Sequence, residues 1–299
     1  MVIIKNWINA FRLRTLPLAF SCIVMGSGLA WADGQFSATI FGLSLITTLF
    51  LQILSNLAND FGDFEKGTDN TLRVGPKRTM QAGIISKEEM VKAMWIVSTF
   101  CSIFGVWLIY QGTSGLDIKK IGLFAIFGLT AMGAAVKYTM GKNPYGYVGL
   151  GDIFVFLFFG WLGVLGSYFL QTHHLRWELL LPASSIGCFT AAVLNINNMR
   201  DHEPDAQSGK KTLVVRIGID WAKRYHFILN FFGILFIILY SIPEIKSVCF
   251  FLIGFILFIK PSREILRHKN HKLFDPYLKK QAIGTFLFSI LFVVGLIVA

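Results

Sequence analysis

The sequence predicts an all-α integral membrane protein, about nine transmembrane helices around a central cavity, and three observations carry that prediction. The chain is strongly apolar: its mean hydropathy is +0.60, and 54% of its 299 residues are hydrophobic while only 15% are charged, against about 25% charged in soluble globular chains. Its apolar residues come in continuous runs of the length that crosses a hydrocarbon core of about 30 Å as a helix, roughly 20 residues. They do not alternate with polar residues as the strands of a membrane β-barrel do. Third, the basic residues between the runs fall on alternate connections.

The first run, 15–32, follows KNWINAFRLR, a basic and amphipathic lead-in. No small-residue cleavage pattern with a soluble domain behind it follows, so this run is expected to stay as a span instead of being removed as a signal. Further runs lie at 36–55, 91–110, 121–139, 151–170, 179–198, 225–242, 247–260 and 281–299, the eighth being the shortest. With nine spans, the N-terminus and the even-numbered connections carry 24 of the 28 Lys and Arg residues. The odd-numbered connections hold only Lys119, Lys120, Arg176 and Lys246. The positive-inside rule then places the N-terminus in the cytoplasm and the C-terminus outside, with residues 1–299 forming one transmembrane domain in contact with the lipid bilayer. The net charge of +11 does not indicate nucleic-acid binding, because no basic, aromatic-interleaved soluble domain exists to carry it.

Cys22, Cys101, Cys188 and Cys249 stand singly inside apolar runs without CxxC spacing, as small core or lipid-facing residues. The histidine pairs His173/His174 and His268/His271 have no metal-ligand partners nearby in sequence. His202, next to Asp201, points about 100° away from it on a helix and is left out of the site.

The connections after spans two and six repeat one design. Asn56 is followed by Asp60 and Asp63; Asn197 is followed by Asp201 and Asp205. At helical spacing each set shares one face. Each acidic group gives way to glycine and basic residues: Gly67, Arg73, Gly75, Lys77 and Arg78 in the first, Gly209, Lys210, Lys211 and Arg216 in the second. If spans two and six are neighbours, the two faces meet over one cavity, as an internal duplication would arrange.

Carboxylates gathered in this way either take up protons or hold cations. Mg²⁺ is the natural ion, since it takes oxygen ligands from one or two carboxylates plus substrate phosphates. Arg and Lys cannot ligate it but suit the outer oxygens of a diphosphate. A metal-bridged diphosphate at the mouth of an apolar helical cavity points to an amphipathic substrate such as a polyprenyl diphosphate, whose departing pyrophosphate the metal would neutralise. Aromatic faces in the spans could stabilise the allylic cation, each contact contributing about 2 kcal/mol when desolvated. A cation transporter is the competing reading. Against it, most of the acids lie just beyond the apolar runs, and a transporter leaves the Arg and Lys clusters without a purpose.

From RLRTLPLAF at 12–20 through the second acidic motif, the chain resembles the UbiA superfamily of intramembrane aromatic prenyltransferases, nine-helix proteins whose two Asp-rich motifs hold Mg²⁺ and a prenyl diphosphate. NDFGDFEKGTDNTLRVGPKRTMQAG at 59–83, NPYGYVGLGDIFVFLFFG at 143–160 and NNMRDHEPDAQSGKKTLVVRIG at 197–218 are similar to the branch whose acceptor is 1,4-dihydroxy-2-naphthoate. The 4-hydroxybenzoate branch carries an RTxxRPLASG-like stretch where this chain has RVGPKRTMQAG. The resemblance implies Asn56, Asp60 and Asp63 as the first metal motif and Asn197, Asp201 and Asp205 as the second, with two Mg²⁺ ions bridging the diphosphate. It implies diphosphate contacts from Arg73, Lys77 and Arg78, and from Lys210 and Lys211. Gly67 stands where many relatives have a further Asp, and Asp69 is the candidate ligand in its place. Asn143, Tyr145, Tyr147 and Asp152 are candidates for the acceptor pocket because their stretch follows the branch; the alternative for that stretch is a Gly-rich loop with interfacial tyrosines. Arg12 and Arg14 are read as headgroup anchors of the first span in preference to substrate contacts. The implied reaction moves a polyprenyl group from its diphosphate to 1,4-dihydroxy-2-naphthoate with loss of CO₂ and diphosphate, giving demethylmenaquinone. Its expected place is a bacterial inner membrane, with the active site facing the cytoplasm. Transfer to 4-hydroxybenzoate is the alternative within the superfamily.

Overall fold

A computed structural model describes residues 2–69, 74–75, 77–241 and 253–298. Among these residues all regular structure is helical, and eight helices are long and apolar enough to cross a membrane. They coincide with eight of the nine expected runs; the remaining one, 247–260, lies partly outside the described residues. The chain is an integral membrane protein.

The amphipathic lead-in forms α1 (Val2–Phe11). Arg12, at φ +50°, turns the chain into α2 (Leu16–Ala32), with Pro17 in its first turn, where a missing N–H costs nothing. α3 (Ala38–Glu65) begins at Ser37, whose hydroxyl accepts the Ile40 N–H. Its 28 residues extend about 42 Å, longer than a hydrocarbon core, so its last turns project beyond the apolar run with Asp60 and Asp63 on them. α4 (Lys87–Gly112) starts with a reciprocal cap: Ser86 Oγ accepts from Glu89 N–H at 3.2 Å, and Glu89 Oε2 accepts from Ser86 N–H at 2.8 Å. α5 (Ile118–Lys137) is capped by Asp117.

α6 (Gly151–Thr172) is wide-turned over Phe156–Leu165. α7 (Leu180–Arg200) is the most buried helix, packing against α2, α6, α10 (Ile219–Ser241) and α12 (Asp275–Ile297). Between these come short helices α8 (His202–Gln207), α9 (Leu213–Ile217) and α11 (Lys260–Arg267). Phe189 of α7 stacks on Phe258 at 3.9 Å and meets the edge of Phe288 at 5.4 Å. That density is possible because Gly233 faces Phe189; a Cβ there would lie 2.4 Å from the ring.

α3 packs against α4, α5 and α2, and α2 packs against both α3 and α7. Spans two and six are therefore not paired side by side along their length; α2 lies between them. Their acidic ends nevertheless converge on one cavity of about 330 Å³, lined from α2, α3, α5, α6, α7 and α12.

Candidate active site

The cavity narrows from an apolar interior, with Ile23, Leu51, Ala131, Phe158 and Leu162 on its wall, to a polar mouth with Asn56, Asn59, Arg78, Asn197, Asp201, Asp205 and Lys210. The two mouths of the repeat are built alike. After Asp63 the chain leaves α3 through Gly67, at φ +69°, and Thr68 N–H returns to Asp63 O at 2.9 Å. After Asp205 it leaves α8 through Gly209, at φ +77°, and Lys210 N–H returns to Asp205 O at 2.9 Å. Both glycines occupy a left-handed helix terminus that a side chain would strain. That is the physical reason for Gly67 where a further acid was looked for, and the turn it makes carries Asp69 back into the site.

Arg78 lies at the centre of the first motif. One of its guanidinium nitrogens is 3.4 Å from Asp60, 2.9 Å from Asp63 and 3.0 Å from Asp69, and it donates to Asn59 O at 2.9 Å. Burial alone would lower the Arg78 pKa, but Asp60, Asp63, Asp69 and, from the second motif, Asp201 outweigh it and hold it above its ordinary value. Lys210 crosses in the other direction, 3.4 Å from Asp63 and 3.8 Å from Asp205. Its pKa is likewise raised: Asp63, Asp205 and Tyr147 prevail over burial and the nearby Arg78. The two acidic motifs thus share cations, so the repeat seen in sequence is one site in space.

Further side chains fix these groups. Tyr147 donates its hydroxyl to Asp63 at 2.8 Å and lies 2.6 Å from the Thr68 hydroxyl. Asn56 donates to Phe11 O at 2.9 Å and to Thr15 Oγ1 at 3.2 Å. Arg200 clamps Asp201 through two bonds, at 3.0 and 2.7 Å, while holding Asn197 at 2.8 Å and Asp275 at 2.6 Å. Tyr145 lines the cavity, donates to Ala134 O at 2.9 Å and stacks on Phe154 at 4.0 Å.

Of the residues expected at the site, Asn56, Asp60, Asp63, Asp69, Arg78, Asn197, Asp201, Asp205, Lys210 and Tyr145 come together here. Lys77, Asn143 and Lys211 are exposed and do not line the cavity; Lys211 contributes its backbone N–H to Tyr147 O at 3.0 Å. Arg73 lies outside the described residues. Arg12, read from sequence as an anchor, instead lines the cavity and forms an ion pair with Asp60. The left-handed backbone at Arg12, which hydropathy does not reveal, directs it there. Arg200, Asn59 and Tyr138 are further site residues the sequence reading passed over; the position of Arg200 beside Asp201 was the available signal.

Among the described residues no three His, Cys, Asp or Glu side chains form a ready-made metal cage. The donor set still fits Mg²⁺, because paired carboxylates flanked by phosphate-binding cations need supply only one or two oxygens per ion, with the substrate phosphates supplying others.

A buried bundle with paired Asp motifs and shared cations over an apolar cavity has the chemistry to take a diphosphate whose tail is a hydrocarbon. The profile of the UbiA prenyltransferase family matches residues 19–290, and the chain belongs to that family. It is 42% identical over 294 residues to the 1,4-dihydroxy-2-naphthoate octaprenyltransferase of Escherichia coli K12, covering 98% of this chain and 95% of that one. It is 39% identical over 299 residues to the enzyme of the same name from Haemophilus influenzae, covering 99% and 96%. Among solved structures, a UbiA homolog from Archaeoglobus fulgidus bound to GPP and Mg²⁺ shares the fold with a TM-score of 0.63 at 17% identity, over 97% of this chain and all of that one.

Proposed function

We propose that this chain transfers a polyprenyl group from polyprenyl diphosphate to 1,4-dihydroxy-2-naphthoate, releasing diphosphate and CO₂, as a step of menaquinone biosynthesis. The immediate product is the hydroquinone, demethylmenaquinol, the reduced form of demethylmenaquinone. The observation that carries the reading is the cross-motif network in which Lys210 lies between Asp63 and Asp205, while Arg78, paired with the first segment's acids, is also within electrostatic reach of Asp201. The two near-full-length relatives support the naphthoate as acceptor.

Asp60, Asp63, Asp201 and Asp205 would hold Mg²⁺, with Asp69 as a further oxygen donor. A metal held by these carboxylates would supply charge neutralisation as the allylic C–O bond breaks. Arg78, Lys210 and Arg12, now paired with the carboxylates, exchange those partners for diphosphate oxygens. Arg200 and Tyr147 keep Asp201 and Asp63 oriented while this happens. The apolar cavity wall receives the first part of the prenyl chain and excludes water from the allylic cation. We place the active site on the cytoplasmic face of a bacterial inner membrane, because the mouth lies among the connections that carry most of the Lys and Arg residues.

The test is prenyl transfer by purified protein in lipid, offering a radiolabelled polyprenyl diphosphate with either 1,4-dihydroxy-2-naphthoate or 4-hydroxybenzoate, with and without Mg²⁺. Mg²⁺-dependent product with the naphthoate alone is the expected outcome. Product with 4-hydroxybenzoate alone overturns the acceptor, and no transfer to either overturns the reaction.

A further inference from the structure

Asp152 is an acid that the reaction described above does not use. It opens α6, is 5% exposed, and has a carboxylate oxygen, Oδ1, with no hydrogen-bond partner. The acids of the two motifs are tied to Arg or Lys, whereas Asp152 forms no ion pair among the described residues. Ionisable groups buried inside membrane bundles are expensive and mark function more often than structure.

Its neighbour is Tyr138, at the end of α5, whose ring lines the cavity. The ring lies in a slot made by two glycines. A Cβ at Gly146 would stand 2.9 Å and 3.0 Å from its Cε2 and Cζ, and one at Gly151 would stand 3.2 Å from Cε2 and 3.4 Å from the hydroxyl oxygen. Gly151 therefore admits the phenol against the first turn of α6, one residue from Asp152. Burial, then the charges of Asp63, Asp152 and Asp205, raise the Tyr138 pKa despite Arg78, so the phenol stays protonated and can pass a proton only by receiving another. Tyr225 of α10 also lies within electrostatic reach of Asp152.

The acceptor chemistry has a proton problem that this pair fits. As the carbon bearing the carboxylate attacks the allylic carbon, the C–O bond to diphosphate breaks and the adjacent ring hydroxyl becomes a ketone, losing its proton. When the C–C bond to CO₂ then breaks, its electron pair returns to the ring and the oxygen takes the proton back. No proton is released overall, so the group that holds it must return it and not exchange it with water. A carboxyl sealed from solvent behind a phenol does this.

Resting on the proposed reaction, we propose that Asp152 holds the acceptor hydroxyl's proton during transfer, receiving it through Tyr138 and giving it back as CO₂ departs. Asp152 is a positioning residue in this scheme: it acts on the acceptor only through Tyr138.

The test is steady-state transfer to the naphthoate by Asp152→Asn, Tyr138→Phe, the double variant and Asp152→Glu, with thermal melting of each. Asp152→Asn, nearly isosteric, is expected to lower kcat about a hundredfold, within the usual range for acid–base assistance, with both KM values and Tm close to wild type. The double variant should be no slower than the slower single variant, and Asp152→Glu should recover part of kcat. Wild-type kcat in Asp152→Asn, a loss matched by lowered Tm, additive single effects, or no recovery with Glu would each overturn the inference. In those cases wild-type transfer to the naphthoate still upholds the reaction itself, and only its absence overturns that reading.

Discussion

Asp60, Asp63 and Arg78 act as one charged unit, and a change at any of them is felt by the others. Asp60→Asn and Asp201→Asn each remove an anionic oxygen at the cavity mouth but almost no volume. Both are expected to cut prenyl transfer at least about a hundredfold, the scale of losing a preorganised electrostatic group, while the protein stays folded in membranes. Turnover near wild type in both would end the metal assignment. Arg12 and Arg14 give a sharper comparison, because sequence spacing could not tell them apart. Arg12 pairs with buried Asp60, whereas Arg14 has a side chain 48% exposed and only a 3.7 Å contact to half-exposed Asp275. Arg12→Gln is expected to raise KM for the diphosphate about tenfold, and Arg14→Gln to change it less than about twofold, in line with buried and exposed ion pairs. The acids were legible because spacing alone puts Asn56, Asp60 and Asp63 on one helical face. Arg12 was not, because its direction depends on a single left-handed backbone position.

At the scale of elements, hydropathy located the spans but shortened them where they run into polar sequence. The run 36–55 belongs to a helix that continues to Glu65, 225–242 to one that begins at Ile219, and 281–299 to one that begins at Asp275. A helix has no reason to end where its side chains become polar, and the Ser86–Glu89 cap starts α4 four residues ahead of its apolar run. Close approach between elements was also invisible in sequence, since a glycine reads the same whether crowded or open. Gly160 is crowded: a Cβ would lie 2.7 Å from Ala183 O and 2.9 Å from Gly187 Cα. Gly122 of α5 meets nothing within 4 Å. Gly160→Ala is expected to destabilise the protein by about 1–3 kcal/mol, since neighbouring backbone must move. Gly122→Ala should stabilise it by about 0.5–1 kcal/mol through helix propensity. Thermal melts in detergent compare the two, and equal shifts would contradict the packing described for α6 and α7.

For the whole molecule, the number of crossings decides on which side the C-terminus lies, and contacts at the two ends of α10 bear on it directly. Near the start of α10, Lys223 donates to His268 O at 2.8 Å, and Lys272 pairs with Glu203 at 2.6 Å, so residues 268–272 lie at the Asp-rich end. At its other end Tyr240 lies within electrostatic reach of Arg176 and Asp33, in connections of the opposite end. The 23 residues of α10 separate these ends by about 34 Å. We propose nine crossings, the number read from the sequence, which would put the C-terminus opposite the Asp-rich end; the run 247–260 that would supply the ninth lies partly outside the described residues. The charge pattern supports this proposal: with eight crossings, the seven Lys and Arg residues between 260 and 280 would change sides and the positive-inside asymmetry would weaken. In a variant lacking the native cysteines, Val298→Cys, at a residue 82% exposed, and Leu175→Cys, at one 54% exposed, should react with a membrane-impermeant maleimide on intact cells. Asn143→Cys and Lys211→Cys should react only after permeabilisation. Labelling of Val298→Cys in the second class would leave eight crossings and both termini inside, and with them a C-terminus on the same face as the diphosphate site.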